Sequence, residues 1–272
     1  MARFAQMFLD LEGKVDALGV GGADIYVVVD KRRYAFRQIL NIVKKVQATP
    51  VVDGSGLTHT LEREAILELQ NSGVVDFARQ RALLVSAVDR FGMAQALAEV
   101  CPNVVYGDLM FGVGLPIRIR SYRTVRWIGS LLLPILTKLP FQWFYPTGEK
   151  QEKRTPKFGW AFQEATFIAG DTHFIKRYAP DRLDGKTILT QTLRKDTIAW
   201  FKAAGVERLI ATTPVMGGET FATNVMEGVI VALLGKRPED IAESEILDVL
   251  KRLDWKPTVL DLSGDSEQPP EP

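Results

Sequence analysis

The chain has 272 residues, which is enough for one large α/β domain or for two lobes. Hydrophobic residues make up 46% and charged residues 25%, as in an ordinary globular protein. With 34 Lys and Arg against 33 Asp and Glu, the net charge is +1. This balance argues against a nucleic-acid-binding protein, because such proteins usually carry a basic face.

Cysteine and histidine are scarce in this sequence. Cys101 is the only cysteine, so no intrachain disulfide can form, and a reducing compartment is expected. With one cysteine and only His59 and His173, we expect no metal site built on these residue types. Cys101 is interpreted as a buried thiol, because no histidine lies near it in the sequence.

The most apolar stretch, Trp127–Tyr145, is interrupted by Pro134, Lys138 and Pro140. Its uncharged runs are shorter than the ~20 residues that a membrane-spanning helix needs. The start of the chain, Met1–Asp10, lacks the features of a signal peptide. We therefore expect a cytoplasmic protein whose partner is a small-molecule substrate and not a membrane or a nucleic acid.

Short strands and amphipathic helices alternate along the chain. The first part predicts a helix, a strand, a hairpin, a helix and a strand: Ala2–Leu11, Val15–Val20, Ile25–Val29 with Arg33–Phe36, Gln38–Val46 and Pro50–Asp53. The chain opens with a helix that no strand precedes, so a first strand is expected to be missing. Thr60 is expected to cap the next helix, and Glu62 to lie in its first turn.

The middle of the chain predicts the centre of a sheet. Residues 81–88, RALLVSAV, are nearly continuous apolar sequence, as in a central parallel strand, and Asp89 is expected to cap the following helix. Further strands are predicted at Val104–Gly107, Ala165–Ala169, Lys186–Thr190 and Arg208–Thr212. The last two, with the helix between them, predict a βαβ unit with a right-handed crossover.

The helix Asn224–Leu234 has a broad apolar face. Asn224 is expected to cap it, with Glu227 reaching back to the cap, and Gly235 to end it in a left-handed conformation. We predict an α/β fold with a mostly parallel, Rossmann-like sheet and flanking helices, divided into lobes at residues 1–76 and 77–262. Residues 263–272 are polar and proline-rich, which predicts a disordered tail.

Three loops between a strand and a helix carry candidate binding residues. Asp53, Gly54, Ser55 and Gly56 form DGSG, where backbone amides and a helix terminus favour an anion, although a tight turn that needs positive φ is the commoner reason for such glycines. The loop Ser86–Gly92 has the position of a nucleotide-binding turn. The residues proposed there for a cofactor are Ser86, Asp89, Arg90 and Gly92, although the GxGxxG pattern is absent.

The third loop holds Thr212, Thr213 and Pro214, whose hydroxyls could line a ribose pocket or only bond their own backbone. Asp53, Asp108 and Asp171 are acid–base candidates, because burial at the ends of strands would shift their pKa. The catalytic set that we predict is Lys150, Asp108 and Asp171. The enzymatic interpretation requires Ser86, Asp108 and Thr212 to meet at one crevice.

Several segments together resemble a bacterial family labelled quinate 5-dehydrogenase: GVGGADIY, TPVVDGSGLTHTLERE, VSAVDRFGMAQALAE, VVYGDLMF, LPFQWFYPTGEKQE, and GVERLIATTP with TNVMEG. The resemblance covers Val15 to Leu262. It implies NAD(P)-dependent oxidation of a small hydroxy acid, with NAD or NADP as the cofactor. The NVTxPxK segment of shikimate and quinate dehydrogenases is absent, so Lys150 as the proton-relay lysine is our own hypothesis.

Two other classes of function remain open from the sequence. One is a transferase or lyase that holds a phosphorylated or carboxylated small molecule at Asp53–Gly56. The other is a non-catalytic ligand-binding protein that forms a homo-oligomer through the aromatic segment Phe141–Tyr145.

Overall fold

The computed structural model describes residues 2–21, 24–29, 32–138, 154–216 and 219–263. The helices are α1 (Ala2–Leu11), α2 (Arg37–Val43), α3 (Ser55–Asn71), α4 (Phe91–Val100), α5 (Tyr122–Leu136), α6 (Gly159–Glu164), α7 (Thr172–Tyr178), α8 (Lys195–Ala203), α9 (Thr223–Leu234) and α10 (Glu243–Arg252). Lys150, the aromatic segment Phe141–Tyr145 and the tail from residue 264 onward lie outside the described residues.

The strands are β1 (Leu18–Gly19), β2 (Tyr26–Val29), β3 (Arg32–Ala35), β4 (Val51–Val52), β5 (Ala82–Leu84), β6 (Val104–Tyr106), β7 (Phe167–Ala169), β8 (Thr187–Thr190), β9 (Arg208–Ala211), β10 (Val215–Met216), β11 (Glu219–Thr220) and β12 (Thr258–Asp261). The largest sheet has six strands in the order β12-β9-β8-β7-β5-β6. Strands β5 to β9 run parallel, and β12 pairs antiparallel with β9 at the edge. The predicted α/β fold and mostly parallel sheet are confirmed.

The order of the strands shows where the winding of the sheet reverses. β6 lies on one side of β5, whereas β7, β8 and β9 follow one another on the other side. This is the order of flavodoxin-type sheets, in which the reversal falls between the first and third strands. The reversal therefore lies between β5 and β7.

Helices cover both faces of the sheet. Successive residues of a strand point to opposite faces, so each strand contributes to two cores. On one side the sheet residues pack with helices α3 and α4: Leu84, Ala169, Leu189, Ile210, Leu69, Met93 and Leu97. On the other side they pack with α6, α7 and α8: Leu83, Ile168, Ile188, Leu209, Phe162, Ile175 and Phe201.

The N-terminal part contributes two small sheets. β2 and β3 form the predicted hairpin, and β1 pairs in parallel with β4. Helix α3 joins this part to the rest, because it packs against α4, α9 and α10. Its contacts with α9 and α10 form a separate apolar cluster: Leu57, Leu61, Met226, Ile230, Ile246, Val249 and Leu250.

The predicted start of α3 was wrong. The helix begins at Ser55, with Gly54 as its N-cap in a left-handed conformation (φ 92°). Thr60 and Glu62 are therefore interior residues of α3, and both are buried. The sequence carries a hydroxyl at Ser55 and another at Thr60, and the apolar periodicity alone did not distinguish the two starts.

Two further predicted caps were also wrong. Arg90, and not Asp89, occupies the N-cap position of α4. Helix α9 begins at Thr223, and the side-chain amide of Asn224 donates to the carbonyl of Val20 instead of capping the helix. The βαβ unit of β8, α8 and β9 is confirmed, and Gly235 ends α9 with φ 61°, as predicted. None of the described helices is long and apolar enough to cross a membrane.

Gly92 allows α3 and α4 to approach each other closely. A Cβ at Gly92 would overlap the carbonyl oxygen of His59, which belongs to the backbone of α3 and cannot rotate away. The structure therefore explains this glycine by helix packing. Gly92 also lines a cleft beside Asp24, and its predicted role in binding a cofactor stays a prediction.

We expect Gly92→Ala to destabilise the fold, because the added methyl group must push α3 and α4 apart. The expected loss in the free energy of unfolding is about 1–3 kcal/mol, measured by urea denaturation. Gly159→Ala, in open space at the start of α6, is the matched control and should change the free energy by less than roughly 0.5 kcal/mol. Equal stability of the two variants would contradict the packing explanation.

Candidate functional site

The candidate site lies where the winding of the sheet reverses, at the carboxyl ends of β5 and β7. Ligands of open α/β sheets bind in the crevice at this point. Here the loop after β5 carries Ser86, Asp89 and Arg90, and the loop after β7 carries Gly170 and Asp171. We call the space between these loops and the N-terminal part the switch-point crevice.

Arg90 is the centre of the charged groups at the switch-point crevice. Its Nη2 lies 3.2 Å from Oδ2 of Asp171, its Nε 3.3 Å from Oδ2 of Asp89, and its Nη1 3.5 Å from Oε1 of Glu62. Only 17% of the Arg90 side chain is exposed. Burial disfavours the charged guanidinium, but the three carboxylates outweigh burial and raise the pKa of Arg90.

Glu62 contributes a fully buried carboxyl group from α3. Its Oε1 accepts a hydrogen bond of 2.8 Å from Nε2 of Gln191, while Oε2 is buried with no hydrogen-bond partner in the described part of the chain. Burial raises the pKa of Glu62 to about 7, and the charge of Arg90 opposes this shift. Glu62 is thus poised between its neutral and charged forms near neutral pH.

Asp24 faces the same charges from the segment before β2. Burial raises its pKa to about 8, and repulsion by Asp89 adds to the shift. Asp24 lines an open cleft of about 400 Å³, a volume that includes solvent at its mouth. The other lining residues come from β2, α3, the loop after β5 and the start of α4: Tyr26, Val27, Val28, Ser55, Thr58, His59, Asp89, Arg90, Phe91 and Gly92.

Asp108 follows β6 and holds the loop after β5. Its Oδ1 accepts hydrogen bonds from the amides of Ala87 (3.0 Å) and Val88 (2.9 Å). Its Oδ2 is buried and has no hydrogen-bond partner among the residues that the structure describes. Burial raises the pKa of Asp108 to about 6, as its position at a strand end predicted. The structure therefore brings Asp108 and the Ser86 loop together.

Asp171 occupies two positions at once. Its Oδ1 caps α7 by accepting from the amides of His173 and Phe174, and its Oδ2 pairs with Arg90. The hydrogen bonds of the cap hold the Asp171 carboxylate in place, and this carboxylate in turn holds the guanidinium of Arg90. Asp171 therefore lies beside Arg90, and its predicted catalytic role stays a prediction.

The hydrogen-bonding groups of the Asp53–Gly56 loop are used by other residues of the same chain. Asp53 accepts from the amides of Ile25 (2.6 Å) and Tyr26 (2.8 Å) through Oδ2, and from Ser55 through Oδ1. It therefore fastens the start of β2 to the end of β4. Ser55 also lines the cleft beside Asp24.

Glu227 supplies the anion that this loop was expected to bind. Its Oε2 accepts a hydrogen bond of 2.6 Å from the amide of Gly54. Its Oε1 lies where a Cβ at position 56 would be, so Gly56 is needed to admit the carboxylate. Burial, followed by repulsion from Asp53, raises the pKa of Glu227 to about 7. The amides at the start of α3 thus bind a carboxylate from α9.

The third loop does not reach the switch-point crevice. β9 is separated from β5 by β7 and β8, which places Thr212 three strand spacings away, roughly 14 Å. Thr212 and Thr213 are completely buried, and Pro214 follows them. Thr213 donates through Oγ1 to the carbonyl of Gln191, whose side chain binds Glu62. The loop therefore positions Gln191 and does not line the crevice. The predicted meeting of Ser86, Asp108 and Thr212 is wrong, so an enzymatic interpretation has to depend on the residues around Arg90 instead.

The sequence interpretation missed Asp24, Glu62 and Gln191. One signal for Glu62 was present, because it is a charged residue on the side of α3 that carries Ile66 and Leu69, both buried. Gln191 and Glu62 are 129 residues apart, so no local pattern could pair them. Among the described residues, no group of three or more His, Cys, Asp or Glu could hold a metal ion.

The buried Glu227 should make the stability of the protein depend on pH. Between its ordinary pKa of 4.5 and its folded value of about 7, the folded state binds more protons than the unfolded state. Stability contributed by the protonated form is therefore lost as pH rises through this window. Glu227→Gln should remove a loss on the order of 1–3 kcal/mol.

Urea denaturation between about pH 5 and about pH 8 measures this difference. The parent protein should lose more stability across the range than Glu227→Gln. Asp248→Asn, at an exposed position of α10, is the control and should follow the parent. Parallel curves for the parent and Glu227→Gln would rule out the proposed contribution.

Two family models match the chain, and each is described as a domain of unknown function. No curated protein matches it. A model described as domain of unknown function DUF8753 matches residues 1–53, and this match ends at the Asp53–Gly56 loop, where the match of a second model begins. A model described as domain of unknown function DUF8754 matches residues 56–262, most of the chain, and the chain belongs to that family.

Proposed function

We propose that the protein is an enzyme that binds a hydroxylated small molecule in the switch-point crevice and oxidises it with a nicotinamide cofactor. The observation that carries this proposal is the set of acids around Arg90, where Asp24 and Glu62 have a pKa near neutrality. Buried acids with such values at a crevice are typical of acid–base sites. A small hydroxy acid is the substrate that the family resemblance implies.

Asp24 is the base in this proposal, because it lines the cleft, whereas Glu62 is fully buried. Oxidation of a secondary alcohol breaks its O–H and C–H bonds and forms a C=O bond. Asp24 would take the proton from the hydroxyl group. The hydride that leaves the carbon would pass to the nicotinamide ring of bound cofactor.

Glu62, Asp89 and Asp171 would act as positioning residues. They hold Arg90 from three sides, so its guanidinium has little freedom to move. Arg90 in turn lowers the pKa of Asp24, against the larger effect of burial. The hydroxyl-bearing residues Ser55 and Thr58 line the same cleft and can bind other hydroxyl groups of a substrate.

Asp108 supports the choice of a nicotinamide cofactor. In dinucleotide-binding folds an acidic residue about 20 residues after the phosphate loop accepts from a ribose hydroxyl. Asp108 follows the strand beside β5, and its Oδ2 is buried and has no hydrogen-bond partner among the described residues. It would accept from a ribose hydroxyl only if the residues that cover it moved aside on binding. A carboxylate at this position would repel the 2′-phosphate of NADP, so we propose NAD as the cofactor.

The geometry gives less support to a transferase or lyase acting at Asp53–Gly56. Such an enzyme would place a phosphate or carboxylate on the amides at the start of α3. The amide of Gly54 already donates to Glu227, a residue of α9 whose carboxylate reaches into the loop. The homo-oligomer and Lys150 proposals concern segments outside the described ranges and stay predictions.

Ligand binding tests the cofactor directly. We expect NAD to raise the melting temperature more than NADP at equal concentration, because Asp108 favours ribose hydroxyls over a 2′-phosphate. Binding at roughly 100 times Kd corresponds to about 2.7 kcal/mol. Asp108→Asn should reduce this preference for NAD, since it removes the negative charge that repels a 2′-phosphate. The amide oxygen of the asparagine can still accept from Ala87 and Val88, so the loop should keep its structure. Asp248→Asn should leave the preference unchanged.

Quinate and shikimate should then be oxidised, with the absorbance of reduced nicotinamide as the measurement. Absence of any thermal shift with both NAD and NADP, together with absence of reduction, would remove the oxidoreductase proposal. A shift with quinate or shikimate alone would retain the crevice as a binding site for hydroxylated molecules.

The pH dependence of kcat/KM tests Asp24 as the base. Asp24 accepts a proton only when ionised, so kcat/KM should rise with pH around its pKa of about 8 and level off above it. Asp24→Asn should lower kcat by about 10²–10⁴. Asp16→Asn, exposed in the N-terminal part, is the control. A profile and rate unchanged in Asp24→Asn would assign the base elsewhere.

A further inference from the structure

A second pocket lies at the opposite end of β5 from the switch-point crevice. It encloses about 450 Å³, including solvent at its mouth. Arg81 and Asn103 precede β5 and β6, and Trp160 stands at the start of α6. The complete lining is Arg81, Ala82, Leu83, Asn103, Val105, Arg120, Trp160, Ala161, Glu164 and Ala165, and we call this space the basic pocket.

The floor of the basic pocket is apolar. Ala82, Leu83, Ala161 and Ala165 are each at most 5% exposed, and Val105 lies beside them on β6. These side chains have no polar atoms, so they favour an apolar part of a ligand.

The wall of the basic pocket is fixed by Arg118. Its guanidinium lies 4.2 Å from the centre of the Trp160 ring and donates a hydrogen bond of 2.7 Å to Oε1 of Glu164. This contact holds the indole in place by a cation–π interaction. It also offsets the charge of Glu164, the only carboxylate in the lining.

Two arginines at the rim of the basic pocket have guanidinium N–H groups that make no hydrogen bond within the described residues and can donate to a ligand. Arg81 uses its Nε to donate to the carbonyl of Glu164, which leaves its two terminal nitrogens. Arg120 makes no ion pair or hydrogen bond within the described ranges and is exposed. Lys186 adds a charge nearby, because its Nζ donates to the carbonyls of Gln163 and Ala165. Three arginines and one glutamate give this region an excess of positive charge.

We propose that the basic pocket binds a small organic anion, with its oxyanion held by Arg81 and Arg120 and its apolar or aromatic body on the alanine floor beside Trp160. Arginine binds carboxylate and phosphate groups through paired hydrogen bonds. The side-chain amide of Asn103 can donate to the same group. The chemistry shared by these ligands is an oxyanion attached to an apolar body.

This site is distinct from the switch-point crevice. The crevice lies at the carboxyl ends of β5 and β7, whereas the basic pocket lies at the amino ends of β5 and β6. Three residues of β5 separate the two, roughly 10 Å of strand. The crevice is lined with Asp24 and Asp89, so the two sites also differ in the sign of their charge.

Calorimetric titration of the full chain with benzoate, phenyl phosphate and benzyl alcohol tests the proposal. Benzoate or phenyl phosphate should bind, and neutral benzyl alcohol should bind much more weakly, because it lacks the charge that pairs with arginine. The tighter of the two anions then identifies the oxyanion as a carboxylate or a phosphate. Equal binding of benzyl alcohol, or no binding of either anion, would overturn the proposal.

Arg120→Gln is the decisive variant, because Arg120 makes no hydrogen bond or ion pair within the described residues that the fold would lose. It should weaken binding of the aromatic anion roughly tenfold or more, as expected for loss of a charge-assisted hydrogen bond. Arg252→Gln, an exposed change at the end of α10, removes the same charge elsewhere and should bind like the parent. Unchanged affinity in Arg120→Gln, with a parental melting temperature, would place the anion outside the basic pocket.

Discussion

The ion pairs of Arg90 are the interaction on which the arrangement of the crevice depends. Arg90 joins three parts of the chain that are distant in sequence: α3 through Glu62, the loop after β5 through Asp89, and the cap of α7 through Asp171. Buried charges are tolerated when they are paired and hydrogen-bonded. Without the guanidinium, three carboxylates would face one another, and at least one would have to take up a proton.

Internal carboxylates bind the backbone amides of several loops that lie near the crevice. Asp108 bonds the loop after β5, Asp171 caps α7, and Glu227 bonds the start of α3. Because these positions are filled from within, their glycines and amides do not indicate external anions. The same interactions place carboxyl groups in buried surroundings, which explains why the pKa values of Asp108 and Glu227 are raised.

The sequence predicted those parts of the fold that local patterns determine. The strand–helix–strand unit of β8, α8 and β9 and the hairpin of β2 and β3 follow from hydrophobic periodicity. The helix starts at Ser55 and Phe91 were missed, because Thr60 and Asp89 are favourable capping residues in isolation, whereas the N-caps in the structure are Gly54 and Arg90. The candidate site was located only in part, since pairs such as Glu62 with Gln191 depend on tertiary packing. β12 was not predicted.

Although the net charge of the chain is near zero, acidic residues cluster at one end of β5 and basic residues at the other. One end of this strand meets Asp24, Asp89, Asp171 and Glu62 around a single arginine, and the other end meets Arg81, Arg118 and Arg120 around a single glutamate. The local potential that a ligand meets depends on groups within about one Debye length, near 8–10 Å, and not on the total charge. The overall composition therefore excluded only a broad basic face and left a local basic pocket possible. Hydroxyl groups of a ligand are therefore favoured at one end of β5 and an anion at the other, within a chain whose charges almost cancel. The carboxylate of a hydroxy acid in the crevice would have to lie beside Arg90 and away from Asp24 and Asp89.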